Sequence, residues 1–337
     1  RDNALTWLHE YKVDGLRWDA TAYIRNVHGN DNEPANDLPD GWNLMQWINE
    51  EVTEFAPNHL TIAEDLKGNE WVVKDTGAGG AGFGAQWDAA FVHPVRTAII
   101  TNDDQFRDLE AVKTALYAKY DGDAFKRVVY TESHDEVANG KARVPEEIWP
   151  GNSHHWFAKK RSTMGAVLVF TAPGIPMIFQ GQEFLEDKWF DDTDPLDWDK
   201  AKEMESIITL YRDLMQLRRN YHNNTRGLTG QHIDVYHVNN AAKVMAFHRW
   251  SEGGPGDSTI VVLNMTNQTV TDYTIGFPAA GHWALRFDSH AKPYSADYEG
   301  QVSIDVTAEP TPYDNQPASG KVSLGPYAGL IFSQNRD

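Results

Sequence analysis

Apolar positions follow two different periods in this chain, and the dominant period changes once. Residues 4–11 place Leu5, Leu8 and Tyr11 at helical spacing, and 13–18 read as a short buried strand. A helix is predicted over 41–55, where Leu44, Trp47, Ile48, Val52 and Phe55 recur every three or four residues, and a strand over 60–63. A loop with Gly77, Gly79, Gly80, Gly82 and Gly84 follows and is expected to be flexible. The pattern then predicts a strand at 86–92, helices beginning at 93–100 and over 104–119, and a strand at 128–131. A helix over 154–170 is stopped by Pro173-Gly174, and a strand at 176–180 precedes a long helix over 200–220.

Short strands alternating with helices predict α/β structure with parallel strands and crossover helices. Five such units match the later part of an eight-unit (β/α)8 TIM barrel. A doubly wound open sheet is the alternative, but no G-x-G-x-x-G or P-loop motif opens any unit. Past residue 222 the period shortens. Segments at 235–237, 244–250, 259–264, 273–277, 282–287, 302–306 and 322–324 read as β structure separated by Gly and Pro turns, which predicts an all-β antiparallel sandwich domain. The expected division is therefore a partial catalytic barrel at 1–222 and an all-β domain at 223–337.

Composition narrows the function. Of 337 residues, 41% are hydrophobic, enough for a sizeable core. The net charge of −19 repels polyanions, which excludes nucleic acid as an expected partner and leaves a neutral polymer indifferent. No run of about 18 apolar residues occurs, so no membrane partner is expected. With no cysteine there is neither a disulfide nor a thiolate metal site, which fits a cytoplasmic location.

Three of the predicted strands end in acids. In Val13-Asp14-Gly15-Leu16-Arg17-Trp18-Asp19, strand parity puts Arg17 and Asp19 on one face, and a guanidinium beside a carboxylate favours the ionised form a nucleophile needs. Leu60-Thr61-Ile62-Ala63 ends at Glu64-Asp65. Val128-Val129-Tyr130-Thr131 ends at Glu132-Ser133-His134-Asp135-Glu136, where a zinc site is an alternative lacking the H-E-x-x-H spacing. Taken singly, each pattern also suits a structural ion pair or a solvated acid. If the strands share one barrel, neighbours about 4.8 Å apart bring the acids together at its active-site mouth. Two such carboxylates can reach the separation of roughly 5–5.5 Å that retaining glycosidases use.

The motifs D-G-L-R-W-D-A, A-E-D and S-H-D resemble, in order and spacing, those of the α-amylase clan, glycoside hydrolase family thirteen. The resemblance implies Asp19 as nucleophile, Glu64 as acid/base and Asp135 as transition-state stabiliser, with Arg17 and His134 binding substrate. It implies a (β/α)8 barrel, represented here by about strands 4–8, with an all-β domain behind it. Ser133-His134-Asp135-Glu136-Val137, Gly181-Gln182-Glu183-Phe184 and Leu196-Asp197-Trp198 are most similar to glycogen (1,4-α-glucan) branching enzymes. Those enzymes usually carry a second Glu where this chain has Asp65, and the wording of 185–195 also departs from theirs. The expected partner is an α-glucan polymer or oligosaccharide, and the expected activity is branching. An amylase-type or trehalose-releasing hydrolase and an inactive glucan-binding relative stand as alternatives. No cofactor or metal is implied, calcium being a structural option in some relatives.

Tyr23, Trp189, Phe190 and Trp198 are expected near the strand ends, where aromatic faces can stack on glucose; Trp18 is expected to pack in the core. Arg1-Asp2-Asn3 runs straight into a helix, which reads as a start in mid-fold. The resemblance places three barrel strands and an Asn-His motif upstream. That predicts a chain dependent on a further N-terminal segment, covalently joined or as a partner.

Overall fold

The computed structural model describes residues 1–298 and 303–335. They fall into two compact units, Arg1–Ala90 with Ala118–Val129, and Phe91–Tyr117 with Tyr130–Asp337.

In the first unit, strands β1 (Gly15–Trp18), β2 (Leu60–Ala63), β3 (Ala85–Trp87) and β4 (Arg127–Val129) pair in parallel and in sequence order. Gly15 permits the close approach of β1 to β2: a Cβ there would lie 2.3 Å from the Leu60 carbonyl oxygen. Helix α1 (Asp2–His9) buries Leu8 against Ile48, Val52 and Ala56. A five-residue helix, α2 (Thr21–Arg25), follows β1. Helix α3 (Pro39–Phe55) starts on a proline whose missing N–H costs nothing in the first turn. Its buried stripe is Met45, Ile48, Asn49 and Val52, while Leu44, Trp47 and Phe55 are exposed.

The glycine-rich loop is packed, contrary to the flexibility expected of it. Val72, Val73, Ala81 and Phe83 join Met45 and Ala63 in one core cluster. Gly80 lies so close to Lys74 that a Cβ would meet its carbonyl oxygen at 2.2 Å, so this glycine serves backbone approach rather than mobility.

The strand predicted at 86–92 stops at Trp87. The Asp88 carboxylate accepts the Ala90 N–H at 2.9 Å and opens helix α4 (Ala89–Ile100). In the second unit α5 (Leu109–Tyr117) begins later than predicted, after a 3-10 turn at Asp104–Phe106. Short helix α6 (Val144–Ile148) was not legible. Helix α7 (Trp156–Thr171) is buried nearly all round, so its sequence lacks an amphipathic stripe. Its Arg161 donates to the Ile99 and Ile100 carbonyls at the end of α4, at 2.8 and 2.7 Å.

Strand β5 is only Ile175–Pro176. Beyond it the backbone bonds to side chains instead: Phe179 N–H to Gln182, and the Gln180 carbonyl from Arg143. The long helix predicted over 200–220 is two, α8 (Trp198–Glu203) and α9 (Glu205–Arg218).

Eight antiparallel strands complete the second unit. They are β6 (His232–Asn239), β7 (Val244–Trp250), β8 (Thr259–Asn264), β9 (Val270–Phe277), β10 (Gly281–Asp288), β11 (Val306–Ala308), β12 (Ala318–Leu324) and β13 (Ala328–Ser333). A six-stranded sheet in the order β11-β10-β13-β8-β7-β6 faces the pair β12-β9. Between them lies a core of Val244, Ile260, Val262, Ile275, Phe277, Trp283, Val322 and Phe332, the predicted sandwich. Residue 302 of the segment predicted at 302–306 lies outside the described residues, and the strand found there is β11. Strand β13, all six of its residues buried, is not among the predicted segments.

Candidate active site

The register pairs Trp18 with Ala63, so Asp19 and Glu64 extend neighbouring parallel strands at the same end. The ladder continues past them: Glu64 N–H donates to the Trp18 carbonyl at 2.9 Å, and Thr21 N–H to the Glu64 carbonyl at 3.0 Å. Ala20 then turns the chain in the left-handed region, φ 47° and ψ 43°, an uncommon conformation for a residue with a Cβ. That turn delivers the Ala20 N–H to Glu64 Oε2 at 2.8 Å.

Arg17 binds both acids. Its Nη1 donates to Asp19 Oδ1 at 2.6 Å. Its Nη2 lies 2.8 Å from Glu64 Oε2, a charge contact off the line of a hydrogen bond. The terminal nitrogens of a planar guanidinium are about 2.3 Å apart, so these two carboxylate oxygens lie within roughly 8 Å of each other. The guanidinium carbon sits over the Trp87 ring, 4.4 Å from its centre, a cation–π contact. The acids differ in surroundings: the Asp19 side chain is 77% exposed and that of Glu64 11%. One carboxylate is open to an incoming molecule while its neighbour is enclosed and held by an amide.

Asp65, the departure noted at the position after Glu64, is fully buried and receives two bonds from Arg25, Nε to Oδ2 and Nη2 to Oδ1, each 2.8 Å. Trp18 packs edge-on to Phe83 with ring centres 5.4 Å apart, in the core as expected. Tyr23 is 60% exposed and its ring lies over Gly29; it makes no bond to Arg17, Asp19 or Glu64.

In the second unit His134 Nε2 lies 3.3 Å from Asp135 Oδ2, with both side chains partly exposed. The Asp135 carbonyl accepts from Lys141 at 2.9 Å. Glu132 is buried and structural, bound by Arg143 at 3.2 Å and by the Val144 N–H at 2.6 Å. Phe190, rather than Trp189, meets the His134 ring, edge-on at 6.4 Å. Trp189 is 46% exposed and lines a cavity of about 380 Å³ with Asp191, Asp194 and Lys141. Among the described residues, no three His, Cys, Asp or Glu side chains group as a metal site would require.

Residues 1–229 match the family described as alpha amylase, catalytic domain, and 235–335 match the alpha amylase C-terminal all-beta domain. The chain belongs to the α-amylase family. It is 31% identical over 355 aligned residues to the 1,4-alpha-glucan branching enzyme of Pseudoalteromonas atlantica, covering 98% of this chain and 46% of that protein. It is 29% identical to the enzyme of the same name from Mycobacterium bovis, covering 97% of this chain and 45% of the other. The chain thus spans under half the length of the curated relatives it matches. A pullulanase from Anoxybacillus sp. LM18-11, solved with maltotetraose, superposes with a TM-score of 0.66 at 19% identity, over 99% of this chain and 46% of that one, a likeness of fold.

Sequence reasoning missed several polar side chains that frame the α-amylase-family motifs. Asp88 is fully buried, accepting from Tyr120 at 2.8 Å and pairing with Arg127 at 3.0 Å. Its signal was a charge at the end of the Ala85-Gln86-Trp87 run, which had been read as strand interior. Arg25 was missed because it lies 40 residues from Asp65. Among the described residues, no helix is long and apolar enough to cross a membrane.

Proposed function

We propose that this chain carries the catalytic carboxylates of a retaining α-glucan-active enzyme, acting as a 1,4-α-glucan branching transferase. The observation that carries the reading is Arg17 bridging Asp19 and Glu64 on adjacent strand ends.

Asp19, paired with the Arg17 guanidinium, attacks the anomeric carbon of an α-1,4-linked glucosyl unit. The C1–O4 bond breaks, and the departing O4 takes the proton of Glu64. The intermediate is a β-glucosyl ester on Asp19. Glu64, now a carboxylate, removes the proton from a 6-hydroxyl of a second chain. That oxygen attacks C1, the ester bond breaks, and an α-1,6 link forms with both carboxyls restored. The family resemblance alone gives His134 and Asp135 the role of holding sugar hydroxyls as positive charge develops at the ring. Trp189 and Tyr23 offer faces to neighbouring glucose units. The resemblance of sequence to branching enzymes supports a glucan as acceptor.

The exposure of Asp19 favours a second reading, in which water takes the place of the 6-hydroxyl and the product is a shortened glucan. Incubating the full-length protein with amylose separates the two. A falling iodine stain with no new reducing ends identifies branching. Rising reducing ends identify hydrolysis and overturn the transferase assignment.

A further inference from the structure

Glu186 stands in the 185–195 stretch whose wording departs from that of branching enzymes, and the resemblance gives it no task. Its side chain is 2% exposed. Oε1 accepts the N–H of Asp187 at 3.0 Å, the N–H of Lys188 at 3.2 Å and Lys200 Nζ at 2.7 Å. Oε2 accepts the Asp197 N–H at 3.2 Å. Asp187 and Lys188 open a loop that Asp197 closes, so one carboxylate ties both of its ends. Lys200, from α8, also bonds Asp187 Oδ1, while Asp187 Oδ2 takes the Ser153 hydroxyl at 2.7 Å. Hydrogen bonds between ionised groups are the strong ones, and fixing both ends of a loop restricts the residues between them.

That loop leans on the segment carrying His134 and Asp135. The Phe190 N–H donates to the Val137 carbonyl at 2.6 Å, and Phe190 pairs with Ala138 in a short parallel bridge. The Phe190 ring stands edge-on to Phe179, with centres 5.3 Å apart, and edge-on to His134 at 6.4 Å. Arg143, itself buried, donates to the Lys188 carbonyl at 3.1 Å and lies over the Phe179 ring. Phe190 is therefore held by its backbone and by its ring, and the His134 imidazole rests against it. A side chain that meets a substrate only in a narrow geometry depends on such support.

From this arrangement, and resting on the proposed function, we infer that Glu186 and Lys200 are positioning residues for the glucan reaction. By closing the loop at its base they seat Phe190 against His134. Neither touches the substrate, and both act through the imidazole.

The test uses the full-length protein. Lys200→Met removes the ammonium at nearly unchanged length. It is expected to lower kcat on amylose about 30-fold, inside the roughly 100-fold that a misplaced group costs, with KM changed less than about twofold. Lys200→Arg still reaches both carboxylates and recovers most of the loss. Phe190→Leu leaves Glu186 and Lys200 in place and lowers kcat about fivefold. His134→Ala assigns the route: adding Lys200→Met to it lowers kcat no further, because the group being positioned is gone. Losses that multiply in the double variant overturn the inference. So does a Lys200→Met protein whose kcat is unchanged, or whose loss lies in KM alone. Should Lys200→Met melt below the assay temperature, Phe190→Leu, alone and added to His134→Ala, carries the same test. NMR of protein with isotope-labelled histidine gives a second readout. The His134 ring resonances, identified by their absence in His134→Ala, shift in Lys200→Met as the Phe190 ring moves away; unmoved resonances overturn the inference. This spectrum needs no turnover. An unsubstituted protein that leaves amylose unchanged overturns the proposed function, and the spectrum then decides separately whether the loop seats His134.

Discussion

Arg25 and Asp65 form a two-point ion pair, both bonds 2.8 Å, with side chains 5% and 0% exposed. A branching enzyme of the usual wording has a glutamate after its acid/base residue, and here the shorter aspartate meets an arginine from α2. The planar fork of the guanidinium satisfies both carboxylate oxygens, and a lysine ammonium cannot. Arg25→Ala leaves Asp65 buried without its cation, which is expected to cost about 3–5 kcal/mol. Arg25→Lys is expected to recover only part of this. Chemical denaturation of the two variants checks the order; equal stability of Arg25→Lys and the unchanged protein would contradict it.

Asp19 and Glu64 are expected to fail differently. On the proposed mechanism Asp19→Asn removes the attacking group and should lower turnover of amylose at least about 1,000-fold while glucan affinity persists. Glu64→Gln can keep the bond from Ala20 and, on the same mechanism, blocks proton transfer. A substrate with an activated leaving group needs no proton there, so Glu64→Gln should form the Asp19 ester from α-maltosyl fluoride, while Asp19→Asn should not. Mass spectrometry of the denatured protein reads the adduct. Its appearance on Asp19→Asn would exclude Asp19 as nucleophile.

How these residues come together was partly legible from order alone. Parity placed Arg17 and Asp19 on one face, and the short apolar run before Glu64 marked a second strand end. Both inferences needed only local spacing. The link from Arg17 to Glu64 rests on the parallel register of β1 and β2, which spans 45 residues and leaves no local trace. Strand β13 is buried throughout and was not found, whereas helix α7, buried almost as fully, was legible from its length and from the Pro173-Gly174 stop. At Asp88, and again at 177–180, side chains took backbone hydrogen bonds that a strand would have used, and the predicted strands came out short.

The sandwich should be intolerant of loss at its centre. Trp283 is fully buried, packs 5.2 Å from Phe277, and donates its Nε1–H to the Ala279 carbonyl at 3.0 Å. Trp283→Ala removes that packing and leaves a carbonyl without its donor. A cost of about 3–5 kcal/mol is expected. Trp283→Phe keeps most of the volume and should cost less than Trp283→Ala. Thermal melts of the two variants test this ranking.

Lys160 gives stability a dependence on pH. It lies inside α7 with no exposed surface, its Nζ has no hydrogen-bond partner, and it sits 4.5 Å from the centre of the Tyr298 ring. Burial pushes its pKa from 10.5 down to about 7, against the partial support of Asp288 and Asp297. Above about pH 10.5 the amine is neutral in both folded and unfolded chains, and nothing is lost. As pH falls from there towards 7, the unfolded chain takes up a proton that the folded one refuses, so stability declines. Below 7 both forms are charged and the penalty stays constant. A shift of this size corresponds to about 5 kcal/mol across the window. Lys160→Met fills similar space without an amine. It should raise stability at pH 7 and flatten its dependence between pH 7 and 10. Denaturant midpoints for the two proteins at pH 7, 8.5 and 10 measure both effects. Parallel slopes would show that Lys160 keeps its proton in the folded protein throughout this range.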